Sequence, residues 1–301
     1  MQPITLLDGG TGRELMRMGA PFRQPEWSAL ALLEAPAFVT RVHRAFIDAG
    51  ADVITTNSYA VVPFHIGAER FRQQGLALAR LAGQLARAAA GAGRQVRVAG
   101  SLPPVCGSYR AEWFDADIAR PILATLVEGM RPFVDHWQAE TLSCIAEAEL
   151  VRERVADDAR PLWLSFTLRD AATGDDAAPV LRSGQRVLEA VAAAAHLGAE
   201  AVLFNCSQPE VMGAAVDIAV DYFARQSPVG RGRVGVYANA FPPARTDAQA
   251  NEQLDAIRAD LTPAGYLTWV QDWIERGAQI VGGCCGIGPE HIQLIRASIS
   301  A

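Results

Sequence analysis

The sequence predicts a single-domain (β/α)8 barrel, the TIM-barrel architecture, spanning residues 1–301. Three observations carry the prediction. Short β-branched, apolar runs alternate eight times with longer amphipathic stretches. The short runs are mostly apolar throughout, as strands covered on both faces are. No linker-like stretch or change of composition divides the chain. With 301 residues, half of them hydrophobic and only 20% charged, the chain can build a large core and is not disordered or fibrous. An open doubly wound sheet shares the alternation and stands as the alternative; eight crossover units count against it.

In chain order the strands are read at Ile4–Asp8, Asp52–Thr56, Gln95–Ser101, His136–Thr141, Leu162–Thr167, Ala201–Cys206, Val234–Ala238 and Gln279–Gly283. The helices follow at Ala37–Ala49, Glu69–Ala90, Ala116–Met130, Ile145–Ala156, Gly184–Leu197, Pro209–Arg225, Pro263–Arg276 and Pro289–Ser298. Gly50 and Gly198 stand just after two of these helices, where a left-handed residue closes the last turn. Residues 239–261, between the seventh strand and its helix, read as a long exposed loop.

Charge and leader signals narrow the partners. Acidic side chains outnumber basic ones, 33 to 27, for a formal charge of −6. A broad basic face is not expected, so nucleic acid and anionic membrane surfaces are poor partners. The N-terminus has no basic leader, and no uncharged apolar stretch approaches the roughly 20 residues that cross a bilayer. A cytoplasmic location is expected. Five cysteines, an odd number in a long chain, argue for reduced thiols or a metal site over a secreted disulfide framework.

In a barrel of this kind the C-terminal ends of the strands carry the chemistry. Here those ends read Asp8-Gly9-Gly10, Thr56-Asn57-Ser58-Tyr59, Gly100-Ser101, Glu140-Thr141, Asn205-Cys206, Ala238-Asn239 and Gly283-Cys284-Cys285. Apolar strands thus end in small, polar or metal-binding residues. Cys206 and the Cys284–Cys285 pair would share one mouth, and three soft sulfur donors select zinc over hard cations. Three protein ligands leave a coordination position for a substrate, and the glycines around the pair remove side-chain bulk. A strained vicinal disulfide, or simple packing as small hydrophobes, is the alternative for Cys284 and Cys285. Cys106, in a loop, and Cys144, at a helix start, have no such setting.

These motifs together resemble the zinc-dependent homocysteine S-methyltransferases, the family of the betaine- and S-methylmethionine-dependent enzymes. The resemblance rests on Asp8-Gly9-Gly10, Asn205-Cys206 and Gly282-Gly283-Cys284-Cys285-Gly286. Trp27-Ser28, Ala49-Gly50-Ala51-Asp52, Thr56-Asn57-Ser58-Tyr59, Gly100-Ser101-Leu102-Pro103-Pro104 and Glu140-Thr141 support it, from about residue 4 to residue 298.

The resemblance implies methyl transfer from an onium donor to the sulfur of homocysteine, giving methionine. It implies Zn2+ held by Cys206, Cys284 and Cys285, with the substrate thiol ionised on the metal. Asp8, Gly9 and Glu140 would surround the amino-acid end, their carboxylates facing the ammonium. Asp8 could equally serve as a turn or cap residue before Thr11. Trp27 and Tyr59 would offer aromatic faces to a cationic donor, and Tyr59 would occupy the metal's open position before substrate arrives. Packing at the barrel edge is the other reading of Trp27.

The sequence ends just after the eighth predicted helix. Neither a corrinoid-binding module nor the C-terminal tail that joins subunits in betaine-dependent relatives is expected, which puts their tetramer in doubt; a homo-oligomer stays open. The loop 105–114, with its aromatics, is expected to shape the donor pocket. The competing functions are a subunit dependent on a corrinoid or folate partner, and a non-catalytic zinc protein, which would want a fourth protein ligand. Gly9-Gly10-Thr11-Gly12 lacks the third glycine of a dinucleotide loop, and no phosphate-loop motif is present. The five histidines form no ligand pair at helical spacing and read as structural or surface groups; His136, starting a strand, has no assigned role.

Overall fold

A computed structural model describes residues 3–91, 95–170, 178–226, 232–243 and 256–300. Each predicted strand is present: β1 (Thr5–Leu6), β2 (Val53–Thr55), β3 (Arg97–Leu102), β4 (His136–Leu142), β5 (Leu162–Phe166), β6 (Ala201–Asn205), β7 (Arg233–Tyr237) and β8 (Ile280–Val281). They form one parallel sheet in the order β1-β8-β7-β6-β5-β4-β3-β2. A parallel bridge between Leu7 and Val53 joins its two edges, so the sheet closes on itself as a (β/α)8 barrel.

The strands β1 and β8 are shorter than their apolar runs. Backbone bonding continues past them, with Leu7 N–H donating to Val281 O at 2.8 Å and Gly283 N–H to Asp8 O at 3.0 Å. Beyond Leu7 and Val281 the chain bends out of the regular ladder to build the rim.

Residues on the strands alternate between two cores. Leu6, Ile54, Val98, Trp137, Leu164, Val202, Phe204 and Val236 face the helices. Leu7, Val53, Ala99, Trp163, Ala201, Leu203, Tyr237 and Ile280 fill the barrel. Toward the N-terminal ends of the strands, Trp163 is flanked by the guanidinium groups of Arg97 and Arg233, 5.2 and 5.7 Å from ring centroids. His136 stacks on Trp163 at 4.2 Å, fully inside. Burial, reinforced by Arg97, pushes its pKa down to about 3, so it is a neutral packing group in the barrel floor.

The eight predicted helices are α3 (Pro36–Asp48), α5 (Ala68–Ala90), α6 (Ala116–Met130), α7 (Ile145–Arg154), α8 (Val187–His196), α9 (Met212–Arg225), α10 (Pro263–Glu275) and α11 (Pro289–Ile299). Asp115 caps α6, its carboxylate accepting from Asp117 N and Ile118 N at 2.9 and 3.2 Å. Gly50 follows α3 at φ +103°, and a Cβ there would lie 2.6 Å from Cγ of Arg296, so it suits glycine on both counts. Pro209–Val211 form a 3-10 turn before α9, and α8 starts three residues later than expected, after a turn at Gly184, φ +88°.

Short α1 (Thr11–Arg17), α2 (Ala29–Glu34) and α4 (Pro63–Ile66) were not expected. At four to seven residues they are too brief to show a helical period. They lie in the connections after β1 and β2 and place Trp27 and Tyr59 near the rim. Of the loop expected at 239–261, residues 244–255 lie outside the described residues; Ala240 N–H donates to Cys285 O at 2.8 Å, so the loop's first residues are bonded to the rim.

Closure depends on Asp52. Its carboxylate accepts from Leu6 N at 2.8 Å and from Arg296 Nη2 at 2.5 Å, tying β1, the approach to β2 and α11 together. Asp52→Ala is expected to destabilise the fold by about 2 kcal/mol, the cost of leaving a strand-edge N–H unpartnered and of reducing the Arg296 guanidinium to its bond with Gly50 O. Chemical denaturation checks this; an unchanged midpoint would show that the bridge at Leu7 and Val53 closes the barrel alone.

Candidate metal and thiol-binding site

Beyond β8 the chain must bring two adjacent cysteines to the barrel mouth. Cys284 N–H donates to Ala238 O at 2.9 Å, and Ile287 N–H turns back onto Cys284 O at 3.1 Å. The segment packs against the end of β1: a Cβ on Gly10 would lie 2.6 Å from Cys284 O, and one on Gly283 would run into the side chain of Ile287. Cys206 arrives from β6 with φ +55°. Its Sγ lies 3.0 Å from Cys284 Sγ, and the sulfurs of Cys206, Cys284 and Cys285 all fall within 4.8 Å of one another.

One cavity receives every sequence-predicted site residue. Asp8, Gly9, Trp27, Tyr59, Glu140, Cys206, Cys284 and Cys285 all line it, together with Tyr109, Gln138, Thr141 and Tyr237. Among the described residues, the non-glycine residues with positive φ are Trp27, Tyr109, Thr141 and Cys206. All of them line this cavity. Such backbone costs on the order of 1–3 kcal/mol per residue and persists where surrounding structure holds it in place. Here the unfavourable backbone is gathered at one rim.

Asp8 does not cap α1. Its carboxylate accepts from Thr55 N at 2.7 Å and Thr55 Oγ1 at 3.1 Å, reaching across the barrel seam, while Gly10 stands at the cap position. Glu140 accepts from Ser101 Oγ and, at 3.4 Å, from the Tyr237 hydroxyl. Burial pushes the Asp8 pKa up to about 7 and the Glu140 pKa up to about 8, and the nearby Asp8 and Cys206 add to the rise at Glu140. Two buried carboxyls poised this high are short of positive charge.

The sulfur trio behaves as one acid. Cys206 is held well below the usual thiol range, chiefly because Cys284 and Cys285 donate to it, with Tyr109 O–H as a further donor at 3.1 Å. Cys284 and Cys285 are pushed up, first by their hydrogen bonds to Cys206. The first proton leaves readily and the next ones do not, until a cation is present.

Tyr59 is in the cavity with its hydroxyl 2.6 Å from Ser108 Oγ, and the phenol on a sulfur is Tyr109. Sequence reading singled out the 105–114 loop but not this residue, because nothing in local pattern announces a tyrosine that reaches another strand's cysteine. Trp27 sits edge-on to Tyr59, with centroids 6.2 Å apart, and packs beside His65 at 5.8 Å; its buried Nε1 has no hydrogen-bond partner among the described residues. Cys106 bonds Asp115 O at 3.7 Å and Cys144 is the residue before α7, both away from the cavity.

Residues 5–299 match the family model described as homocysteine S-methyltransferase. The chain belongs to the homocysteine S-methyltransferase family. It is 27% identical to homocysteine S-methyltransferase 4 of Zea mays, over 98% of this chain and 89% of that one. It is 24% identical to homocysteine S-methyltransferase YbgG of Bacillus subtilis, over 98% and 94%. Among solved structures, the homocysteine methyltransferase MmuM of Escherichia coli in its metallated form superposes with a TM-score of 0.76 at 27% identity, covering 99% of this chain and 96% of that one.

The donor set suits a soft or borderline divalent ion: three thiols, no competing carboxylate among them. A tetrahedral ion about 2.3 Å from each sulfur wants sulfurs roughly 3.8 Å apart; here Cys206 and Cys284 are 3.0 Å apart and all three sulfurs fall within 4.8 Å of one another, close enough to share one ion. Replacing Cys206, Cys284 or Cys285 by Ser is therefore expected to lower bound metal at least tenfold after equilibration with a competing chelator. Metal analysis of each variant checks this; full metal content in any of them would remove that residue from the ligand set.

Proposed function

We propose that this chain is a zinc-dependent homocysteine S-methyltransferase that takes a methyl group from a small onium donor and releases methionine. The observation that carries the reading is the convergence of three cysteine sulfurs on a cavity that also holds two buried carboxyls. Zinc, when bound, supplies the Lewis acidity that keeps an incoming aliphatic thiol ionised at neutral pH. Cys206, Cys284 and Cys285 hold that ion.

The other residues position the substrates. Asp8 and Glu140 face the ammonium of homocysteine, and their raised pKa values are the mark of carboxyls that gain from a cation. Gly9 lines the cavity beside the amino-acid end and must be glycine to pack there, since a Cβ would strike Ile287 O and the Phe46 ring. Trp27 and Tyr59 present aromatic faces, which attract a sulfonium or quaternary ammonium group. In the transfer, the thiolate electron pair forms the new S–CH3 bond, and the pair of the broken donor bond leaves on the neutral thioether or amine. The donor's positive charge is thereby lost, and no proton has to move in that step.

Homocysteine binding is expected to weaken toward acid. Above about pH 8 both carboxyls are ionised; as pH falls through about 8 and then about 7, Glu140 and then Asp8 take up protons in the empty site and lose their hold on the ammonium. The KM for homocysteine should rise by up to about tenfold per pH unit for each group. Glu140→Gln should raise KM by about 10- to 100-fold at pH 8, flatten the upper part of this profile and leave zinc in place. Loss of zinc in that variant would mean that Glu140 supports the metal and not the substrate.

A donor panel tests the function itself. The zinc-loaded chain, given homocysteine with S-methylmethionine, S-adenosylmethionine or betaine, should form methionine with at least one of them. Methionine formed only after a corrinoid or folate protein is added would instead make this chain one subunit of a larger methyltransferase.

A further inference from the structure

Three phenols line the sulfur cavity, those of Tyr59, Tyr109 and Tyr237, and Tyr109 is the one whose hydroxyl donates to a sulfur, Cys206 Sγ, at 3.1 Å. Its ring lies under the guanidinium of Arg182, 5.1 Å from the centroid. Arg182 Nη2 is paired with Asp170 Oδ2 at 3.1 Å, both side chains nearly buried. Asp170 Oδ1 in turn accepts from Gln208 N at 3.1 Å, two residues beyond Cys206. The contacts thus form a loop that leaves the Cys206 segment through Asp170 and returns to its sulfur through Tyr109.

The backbone at Tyr109 is left-handed, φ +67°. This splays two consecutive side chains, so that Ser108 meets the Tyr59 hydroxyl and Tyr109 meets the sulfur. A partly buried tyrosine in an unfavourable backbone conformation, roofed by a paired arginine, is expensive to hold in place for packing alone.

On the reading under Proposed function, a methyl donor enters a cavity with four sulfurs, one from the substrate and three from the protein. Attack by Cys206 would form a Cys206 S–CH3 bond and break the donor's bond to its methyl, whose electron pair would leave on the neutral thioether or amine. The enzyme would lose a thiolate ligand with each such event. We propose that Tyr109, held by Arg182, is a positioning residue that makes Cys206 a poor methyl acceptor and so directs transfer to the substrate sulfur. A hydroxyl donating into a thiolate lone pair draws off electron density and occupies one direction of approach. Cys206 is the sulfur so shielded, because it is the one that the Tyr109 hydroxyl reaches, at 3.1 Å.

The test follows the cysteine and not turnover alone. Full-length wild type, Tyr109→Phe, Arg182→Met and Arg182→Lys, each zinc-loaded and metal-free, are incubated with iodoacetamide and separately with S-adenosylmethionine, without homocysteine. Peptide mass spectrometry then follows Cys206, Cys284 and Cys285. Tyr109→Phe should alkylate at Cys206 about tenfold faster than wild type, as expected for loss of one charge-assisted hydrogen bond, with Cys284 and Cys285 unchanged. Arg182→Met should give a smaller rise with Tyr109 intact, and Arg182→Lys should bring the rate back toward wild type. Should Tyr109→Phe fail to fold, the two Arg182 variants carry the comparison. Wild-type rates at Cys206 in the folded variants, or equal acceleration at all three cysteines, would overturn the proposal. Homocysteine turnover by wild type, measured alongside, reads the parent reading separately: turnover without the Cys206 effect sinks only this inference, and the Cys206 effect without turnover sinks only that function.

Discussion

Barrel closure is the constraint on which the site depends. Cys206 follows β6 and the Cys284–Cys285 pair follows β8, with β7 between them in the sheet. A parallel sheet carries the C-terminal ends of all its strands to one side, so ligands distant in sequence become neighbours without any dedicated scaffold. The same closure brings Asp8, at the end of β1, against Thr55 of β2. The seam that makes the fold a barrel is also a wall of the cavity.

The electrostatics of that cavity have a common logic. Buried Asp8 and Glu140 are pushed upward in pKa, and the sulfur trio sheds one proton easily and resists losing more. Each of these groups would gain from a neighbouring positive charge. A divalent ion and an amino-acid ammonium are cations of the kinds that would relieve them, at the sulfurs and at the carboxyls respectively. The gathered left-handed residues Trp27, Tyr109, Thr141 and Cys206 show the same economy in the backbone: unfavourable conformations are concentrated where side chains must be aimed.

At the opposite end, the barrel floor handles its charges by stacking. Arg97, Arg233 and His136 surround Trp163, and the histidine is kept neutral. This division between a rigid floor and a reactive rim fits the way such barrels separate stability from chemistry.

The sequence by itself determined the fold class, the order of the eight strands and eight main helices, and the cysteines and carboxylates that would share a mouth. Each of these is written in local pattern: apolar runs of strand length, helical periods between them, and polar residues at run ends. The short helices α1, α2 and α4 were not legible, because a helix of four to seven residues has no period to read. Nor were Tyr109 and Arg182 as partners of Cys206. Their positions are set by a left-handed turn and by a loop after another strand, through contacts from Tyr109 to Cys206, 97 positions apart, and from Arg182 to Tyr109, 73 positions apart, that no spacing rule encodes. Tertiary structure alone decided which hydroxyl meets the sulfur and that Asp8 bonds across the seam instead of capping a helix, since both depend on which strand ends closure makes adjacent.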